Sequence, residues 1–312
     1  MPTARDVRWF KGQFGAQTAA AVAGTPFDID MIAALACQET GDIWGPLSRK
    51  GLATQQILSL CVGDVITGPR RKAFPTSRAA LMAEPRGPEM YALAREALAE
   101  MAVQVTSYAP YVGNPERFCH AFGILQYDLQ FFRTRPDYFL NGDYADFGKC
   151  LAMAVGELKA AQQRIASLRG KSALTDLELA YVAIAYNSGG FRPADGLKQG
   201  FKNGEGRYYG ELFYDFLELA RTVVAPAAPA LAAGDVYRVQ TRDGGPLLLR
   251  SAAARDPANV LARLKNGLEV HSLGEAPVDG FLHVTATVEG RELTGYAGQG
   301  FLVRHLEADP VG

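Results

Sequence analysis

Neither sign of charge is in excess in this chain: 32 Lys and Arg stand against 33 Asp and Glu, for a net charge of −1. That balance removes the basic surface expected of a protein whose main partner is nucleic acid. Long apolar runs are missing as well. No stretch approaches the ~18 apolar residues of a membrane-crossing helix. The opening, Met-Pro-Thr-Ala-Arg-Asp-Val-Arg-Trp-Phe, has no apolar h-region, so no Sec-type signal peptide is expected. Cysteine is scarce: Cys37, Cys61, Cys119 and Cys150, with no C-x-x-C pair, which argues against a zinc ribbon or a thioredoxin motif. Cys37 and Cys150 fall in helical patterns and read as small core residues; a Cys119–Cys150 bridge is left open. The four histidines, His120, His271, His283 and His305, show no ligand spacing. No metal is therefore expected, nothing implies a cofactor, and no internal repeat is visible.

What is present is a globular composition, 48% apolar and 21% charged over 312 residues, enough for one sizeable core plus a smaller module. Residues 1–24, 53–62, 89–108 and 147–168 carry helical patterns. Thr175-Asp176-Leu177-Glu178 is a capping box, followed by the apolar face Leu179, Val182, Ala183, Tyr186. Residues 191–209 read as a Gly- and Lys-rich loop. A last helix is expected over 211–224, with Leu212, Phe216 and Leu219 inward. The Ala- and Pro-rich run at 225–235 then reads as an interdomain linker. Beyond it, 236–240, 247–250, 268–273, 281–288 and 293–297 are short strand candidates separated by turn residues, suggesting a small all-β barrel over 236–312. The basic run Gly68-Pro69-Arg70-Arg71-Lys72 reads as a solvated loop or as a rim for an acidic polymer.

One stretch organises the first domain, 1–224. Residues 27–41 read as a helix, with Thr25 as N-cap, Pro26 in the first turn and Asp28 and Asp30 near the positive end of the dipole. Ile32, Leu35, Ala36 and Glu39 share one face, and Gly41 offers a stop. A carboxylate that closes an apolar stripe at a helix C-terminus is poorly solvated and faces the negative end of the dipole. Both effects raise its pKa. A carboxyl still protonated near neutral pH is what general-acid cleavage of a glycosidic bond requires.

Three short segments then line up in order. Gln38-Glu39-Thr40-Gly41 resembles the "QESG" segment of lytic transglycosylases and lysozyme-like muramidases. Gly123-Ile124-Leu125-Gln126 is similar to their "GLMQ" segment, and Ala185-Tyr186-Asn187-Ser188-Gly189 to their "AYNAG" segment. The resemblance covers roughly residues 25–220 and implies a mainly α lysozyme-like domain. It makes Glu39 the acid, and later the base, with Tyr186 placing its hydroxyl near Glu39 to orient the carboxyl. Gln126 would hydrogen-bond a sugar N-acetyl or hydroxyl group, and Asn187 and Gly123 would shape or contact the cleft. Trp44 reads equally as a sugar-stacking ring or a core residue. The family pattern is departed from in the 83 residues, 40–122, that separate Glu39 from Gly123.

A second carboxylate would decide between hydrolysis and intramolecular transglycosylation; Asp42, Asp64 and Asp128 are the candidates. Residues 236–308 resemble bacterial Src-homology-3-like domains through Leu248-Leu249-Arg250-Ser251, Leu264-Lys265-Asn266-Gly267-Leu268-Glu269-Val270 and Thr294-Gly295-Tyr296-Ala297. This implies a module that holds the cell wall or serves as a scaffold. The expectation is an enzyme that cuts the β-1,4 bond between N-acetylmuramic acid and N-acetylglucosamine in peptidoglycan glycan strands. It would act in the periplasm or outside the cell, reaching it by phage lysis or a secretion apparatus. The alternatives are a chitinase or chitosanase of the same superfamily, or an inactive glycan binder.

Overall fold

A computed structural model of the protein describes residues 1–65, 71–224, 233–241 and 244–304. Residues 66–70, and residues 225–232 of the expected linker, lie outside the described residues, as does His305. The chain divides into two units, Met1–Pro46 with Leu58–Ala225, and Leu47–Ile57 with Pro226–Gly312. Its layout is mixed, a mostly helical unit and an antiparallel sheet.

The helices are α1 (Ala4–Val22), α2 (Ile29–Arg49), α3 (Thr54–Leu60), α4 (Arg78–Met82), α5 (Gly87–Gln104), α6 (Ala109–Val112), α7 (Pro136–Leu140), α8 (Phe147–Arg164), α9 (Asp176–Ser188) and α10 (Tyr209–Thr222). Helix α9 buries Leu179, Ala180 and Val182–Ala185 and packs on α8 and α10. Its capping box closes as the sequence predicts: Thr175 caps Glu178, whose carboxylate accepts from the Thr175 backbone at 2.9 Å. In α10 the inward face is Tyr209, Phe213, Phe216, Leu217 and Ala220; Leu212 and Leu219 are only half-buried at its flanks. The helix starts two residues before the expected Glu211.

Helix α2 departs from expectation in three ways. Its cap is Asp28, whose carboxylate accepts from Met31 N at 2.9 Å, while Thr25 accepts from Phe27 N in the preceding turn. Residues Met31–Cys37 are buried on every side, so no single stripe faces the core. Gly41 is not a stop either. The backbone leaves helical geometry only at Thr40 (φ −141°, ψ 15°) and then resumes to Arg49 through Pro46. Gly41 serves close approach instead: a Cβ there would lie 2.2 Å from Pro2 Cγ.

Three short strands, β1 (Val62–Gly63), β2 (Ala121–Phe122) and β3 (Tyr127–Asp128), form an antiparallel sheet in the order β1-β2-β3. The turn between β2 and β3 holds two left-handed residues, Gly123 (φ +86°) and Gln126 (φ +51°), and Gln126 N donates to Gly123 O at 2.9 Å. Gly123 is required twice. Its φ suits glycine, and a Cβ would sit 2.8 Å from Cys150 Sγ and 2.9 Å from Tyr144 O. All four cysteines are free and buried, so no Cys119–Cys150 bridge forms.

The second sheet comprises β4 (Ala233–Val239), β5 (Leu247–Arg250), β6 (Val260–Leu264), β7 (Glu269–Leu273), β8 (Phe281–Val288), β9 (Arg291–Gly298) and β10 (Leu302–Arg304). It is antiparallel throughout in the order β10-β4-β7-β8-β9-β5-β6. Val239, Leu249, Leu264, Val270, Leu282 and Val284 make its core by period-2 alternation.

Candidate active site

Glu39 is the last residue before the break in α2, so its carboxyl leaves a buried helical segment at a local C-terminus. Tyr209, at the start of α10, donates its hydroxyl to Glu39 Oε1 at 2.7 Å. Oε2 has no hydrogen-bond partner among the described residues. Burial pushes the Glu39 carboxyl from 4.5 up to about 7, and the Tyr209 hydrogen bond opposes that rise. The direction is the one its place in the sequence predicts, with loss of solvation as the leading cause.

The break is anchored. Thr40 Oγ1 donates to Ile124 O at 2.6 Å, tying the residue after Glu39 to the β2–β3 turn. Tyr186 reaches the same turn from α9, its hydroxyl donating to Leu125 O at 2.8 Å. The carboxyl-orienting bond expected of Tyr186 is thus made by Tyr209. Tyr186 is nonetheless a neighbour: burial, then the charge of Glu39, push its phenol well above 10. Burial and Glu39 raise Tyr209 in the same way.

Gln126 closes the turn. Its Nε2 donates to Gly123 O at 2.9 Å and to Cys61 O at 3.5 Å, and the side chain is half-buried. Gly123 supplies the turn geometry and no contact surface, being buried. Asn187 is exposed at the end of α9; its Oδ1 lies 3.1 Å from where a Cβ of Gly200 would be, and that Cβ would also meet Tyr209 Cβ at 2.6 Å. Asn187 therefore borders the backbone that carries Tyr209. Trp44 is not a sugar platform. It is fully buried, stacks on Trp9 at 5.5 Å between centroids, and donates Nε1–H to Ala36 O at 3.0 Å. Because α2 resumes after Thr40, Trp44 stays on the inner side.

The candidate second carboxylates are placed differently from one another. Asp42 has a side chain 84% exposed. Asp64 and Asp128 are both held by Arg71, at 2.9 and 2.8 Å. Arg71 is itself buried and also donates to Phe74 O and Pro75 O. It is therefore not part of a free basic rim; of that predicted run, Gly68, Pro69 and Arg70 lie outside the described residues. His120 sits behind this cluster, Nδ1 on Asp64 O at 2.8 Å, and burial together with Arg71 pushes it down to about 3, so it is neutral. No group of three or more His, Cys, Asp or Glu able to hold a metal occurs among the described residues.

Tyr209 is the residue that sequence reasoning missed. Its signal was available in the phase of α10: Tyr209, Phe213, Phe216 and Ala220 follow one helical face once the helix begins at 209. No family model, curated protein or solved structure matches the chain.

Proposed function

We propose that this protein is a glycosidase of the cell wall, cutting the β-1,4 bond between N-acetylmuramic acid and N-acetylglucosamine with Glu39 as general acid. The observation that carries the reading is a carboxyl with its pKa raised to about 7, one oxygen on Tyr209 and the other open. Such a group is protonated about half the time at neutral pH and can deliver a proton to a leaving oxygen. The ordered "QETG", "GILQ" and "AYNSG" segments, which resemble those of lytic transglycosylases and muramidases, support the same chemistry. So does their convergence, since Thr40 and Tyr186 both bind the turn that carries Gln126.

Of the two routes open to such an enzyme, the intramolecular one is favoured. A hydrolytic route needs a second carboxylate, about 5–9 Å across the bond, free to act as nucleophile or base. Asp64 and Asp128 are both engaged in ion pairs with Arg71, and Asp42 is solvated. One acid that protonates the leaving oxygen and then accepts the proton of the muramic 6-hydroxyl leaves a 1,6-anhydro end.

Mass spectrometry of fragments released from purified peptidoglycan by wild type and Glu39→Gln tests this. Anhydro-ended products from wild type and a loss of about 100-fold or more in the variant are expected. Reducing ends would mean hydrolysis. Cleavage of chitin oligomers in place of peptidoglycan would favour the chitinase reading, and unchanged release by the variant would dismiss Glu39.

A further inference from the structure

The stretch between α9 and α10, read from the sequence as a Gly- and Lys-rich loop, ends in a built hairpin. Lys202 and Tyr208 form an antiparallel bridge, and the Lys202 ammonium lies over the Tyr208 ring at 5.2 Å. Asn203 closes the turn. Its backbone N–H donates to Arg207 O at 2.9 Å, and its side-chain Oδ1 accepts from Glu205 N and Arg207 N at 3.0 and 2.9 Å. The base is fixed by Gln199, which is buried. Its side-chain amide bonds the backbone of Arg192 and Gly196, and its backbone carbonyl accepts from Gly210 N at 3.1 Å.

This hairpin stands beside the proposed acid. Next to the Lys202–Tyr208 bridge, Phe201 and Tyr209 are the following opposed pair, and Tyr209 N donates to Phe201 O at 2.8 Å. Opposed residues of an antiparallel pair project to the same face. Gly200 adds a second contact: a Cβ there would lie 2.6 Å from Tyr209 Cβ, so the chain leading into Phe201 lies directly on Tyr209. Phe201 therefore shares the side from which Tyr209 reaches Glu39 Oε1. The three side chains differ in depth. Tyr209 is buried, Glu39 is half-buried and Phe201 is 66% exposed, so Phe201 borders the acid on its solvent side. It is the one exposed phenylalanine among the described residues.

We infer that Phe201 decides what attacks the broken bond, by keeping water off the anomeric carbon so that the sugar's own 6-hydroxyl reaches it first. The inference rests on the glycosidase reading and on its intramolecular route. When Glu39 gives its proton to the leaving oxygen, the bond from that oxygen to the anomeric carbon breaks and positive charge is left on the sugar. Two oxygens can then form the new bond. The 6-hydroxyl closes a 1,6-anhydro ring, whereas a water leaves a reducing end; in either case the attacking oxygen's proton goes to the Glu39 carboxylate. Protonation is thus common to both routes and does not choose between them. The choice depends on whether a water is held beside the carbon, and a phenyl ring has no donor or acceptor to hold one. A side chain that excludes water protects a reactive centre from hydrolysis.

The test uses the full chain and purified peptidoglycan whose existing reducing ends have first been reduced with borohydride. After digestion, borodeuteride marks each new reducing end and leaves anhydro ends unmarked. The marked share of all new ends, read by mass spectrometry, then measures the partition whatever the total rate. Wild type is expected to give mainly unmarked anhydro ends. In Phe201→Ser the ratio of marked to unmarked ends should rise about tenfold, the effect of about 1.4 kcal/mol between two competing barriers. Phe201→Leu, still apolar, should hold the ratio near the wild-type value. The pH limb set by Glu39 should stay in place in both variants. Slower cleavage by Phe201→Ser at an unchanged ratio would make the ring a plain contact for the strand; that result, or an equal rise in Phe201→Leu, overturns the inference and leaves the cleavage reading standing. Mainly marked ends from wild type overturn the intramolecular route and the inference with it, and no cleavage by wild type overturns the glycosidase reading itself.

Discussion

At the scale of single residues, Glu39 couples the proposed chemistry to stability with a definite sign. Its carboxyl has an ordinary value of 4.5 and sits near 7 when folded. Between those values the folded chain holds a proton that the unfolded chain has released. Stability conferred by this group is therefore present at low pH, falls as pH rises from about 4.5 to 7, and is gone above. The amount at stake is on the order of 3 kcal/mol, at 1.36 kcal/mol per unit. Glu39→Gln should be the more stable protein at pH 8, by up to that amount, and should match wild type near pH 4.5. Urea unfolding at the two pH values measures this, and an equal difference at both would show that burial does not control the group. The prediction needs no substrate. Activity has its own dependence: the rate should decline on a limb near pH 7 as the acid is lost. Tyr209→Phe removes a hydrogen bond that favours the charged carboxylate, so that limb should move upward, by about one unit. A limb that stays put would separate Tyr209 from the proton.

The residue scale also shows where local reading ends. The raised pKa of Glu39 was legible because loss of solvation follows from the apolar residues that precede it along one stretch of chain. The Tyr209 bond joins residues far apart in sequence, and two adjacent tyrosines in an apparent loop give no local hint of which one turns inward. Trp44 was ambiguous for a related reason. Whether it meets solvent depends on whether α2 ends at Gly41, and that is decided by Thr40, which finds an acceptor on a distant turn.

At the scale of elements, the β2–β3 turn is where three parts of the helical unit meet. Thr40 from the break in α2, Tyr186 from α9 and Cys150 from α8 all press on residues 123–125. The turn can accept them because Gly123 occupies a left-handed conformation with no side chain. Gly123→Ala should therefore cost about 3 kcal/mol, combining overpacking against Cys150 and Tyr144 with backbone strain. Activity per folded molecule should fall too, because the strain is released next to Gln126 and Glu39. Thermal unfolding and a rate normalised to folded protein check this; an unperturbed melting temperature would mean that the turn yields without cost. The elements themselves were largely readable. Strands 247–250 and 281–288 stand where alternation placed them. Val260–Leu264 was not foreseen, because Leu261 points outward and breaks the apolar-in, polar-out rhythm.

At the scale of the molecule, composition alone signalled the change from helices to strands, since the Ala- and Pro-rich run separates two different periodicities. What composition could not show is the clamp that holds the ends of the helical unit together. Lys11 in α1 is buried, ion-pairs with Asp30 at the start of α2, and donates to Ala220 O and Val223 O at 2.7 and 2.5 Å, at the end of α10. Arg221 adds bonds to Asp28, Asp30 and Asp176, so the starts of α2 and α9 and the end of α10 share one network. The last carbonyls of a helix have no partner within it, and here a single ammonium supplies one while neutralising an acid beside them. Lys11→Met keeps most of the packing and removes that donor. It should destabilise by about 3–5 kcal/mol, as expected when one member of a buried pair is deleted. The urea midpoint should fall with the slope unchanged. The double variant Lys11→Met, Asp30→Asn should recover part of the loss, because the stranded charge is gone while Val223 O stays without its donor; Ala220 O keeps the backbone N–H of Val223. Additive losses in the two single variants would instead mean that Lys11 and Asp30 act independently, and that Arg221 alone holds the acids.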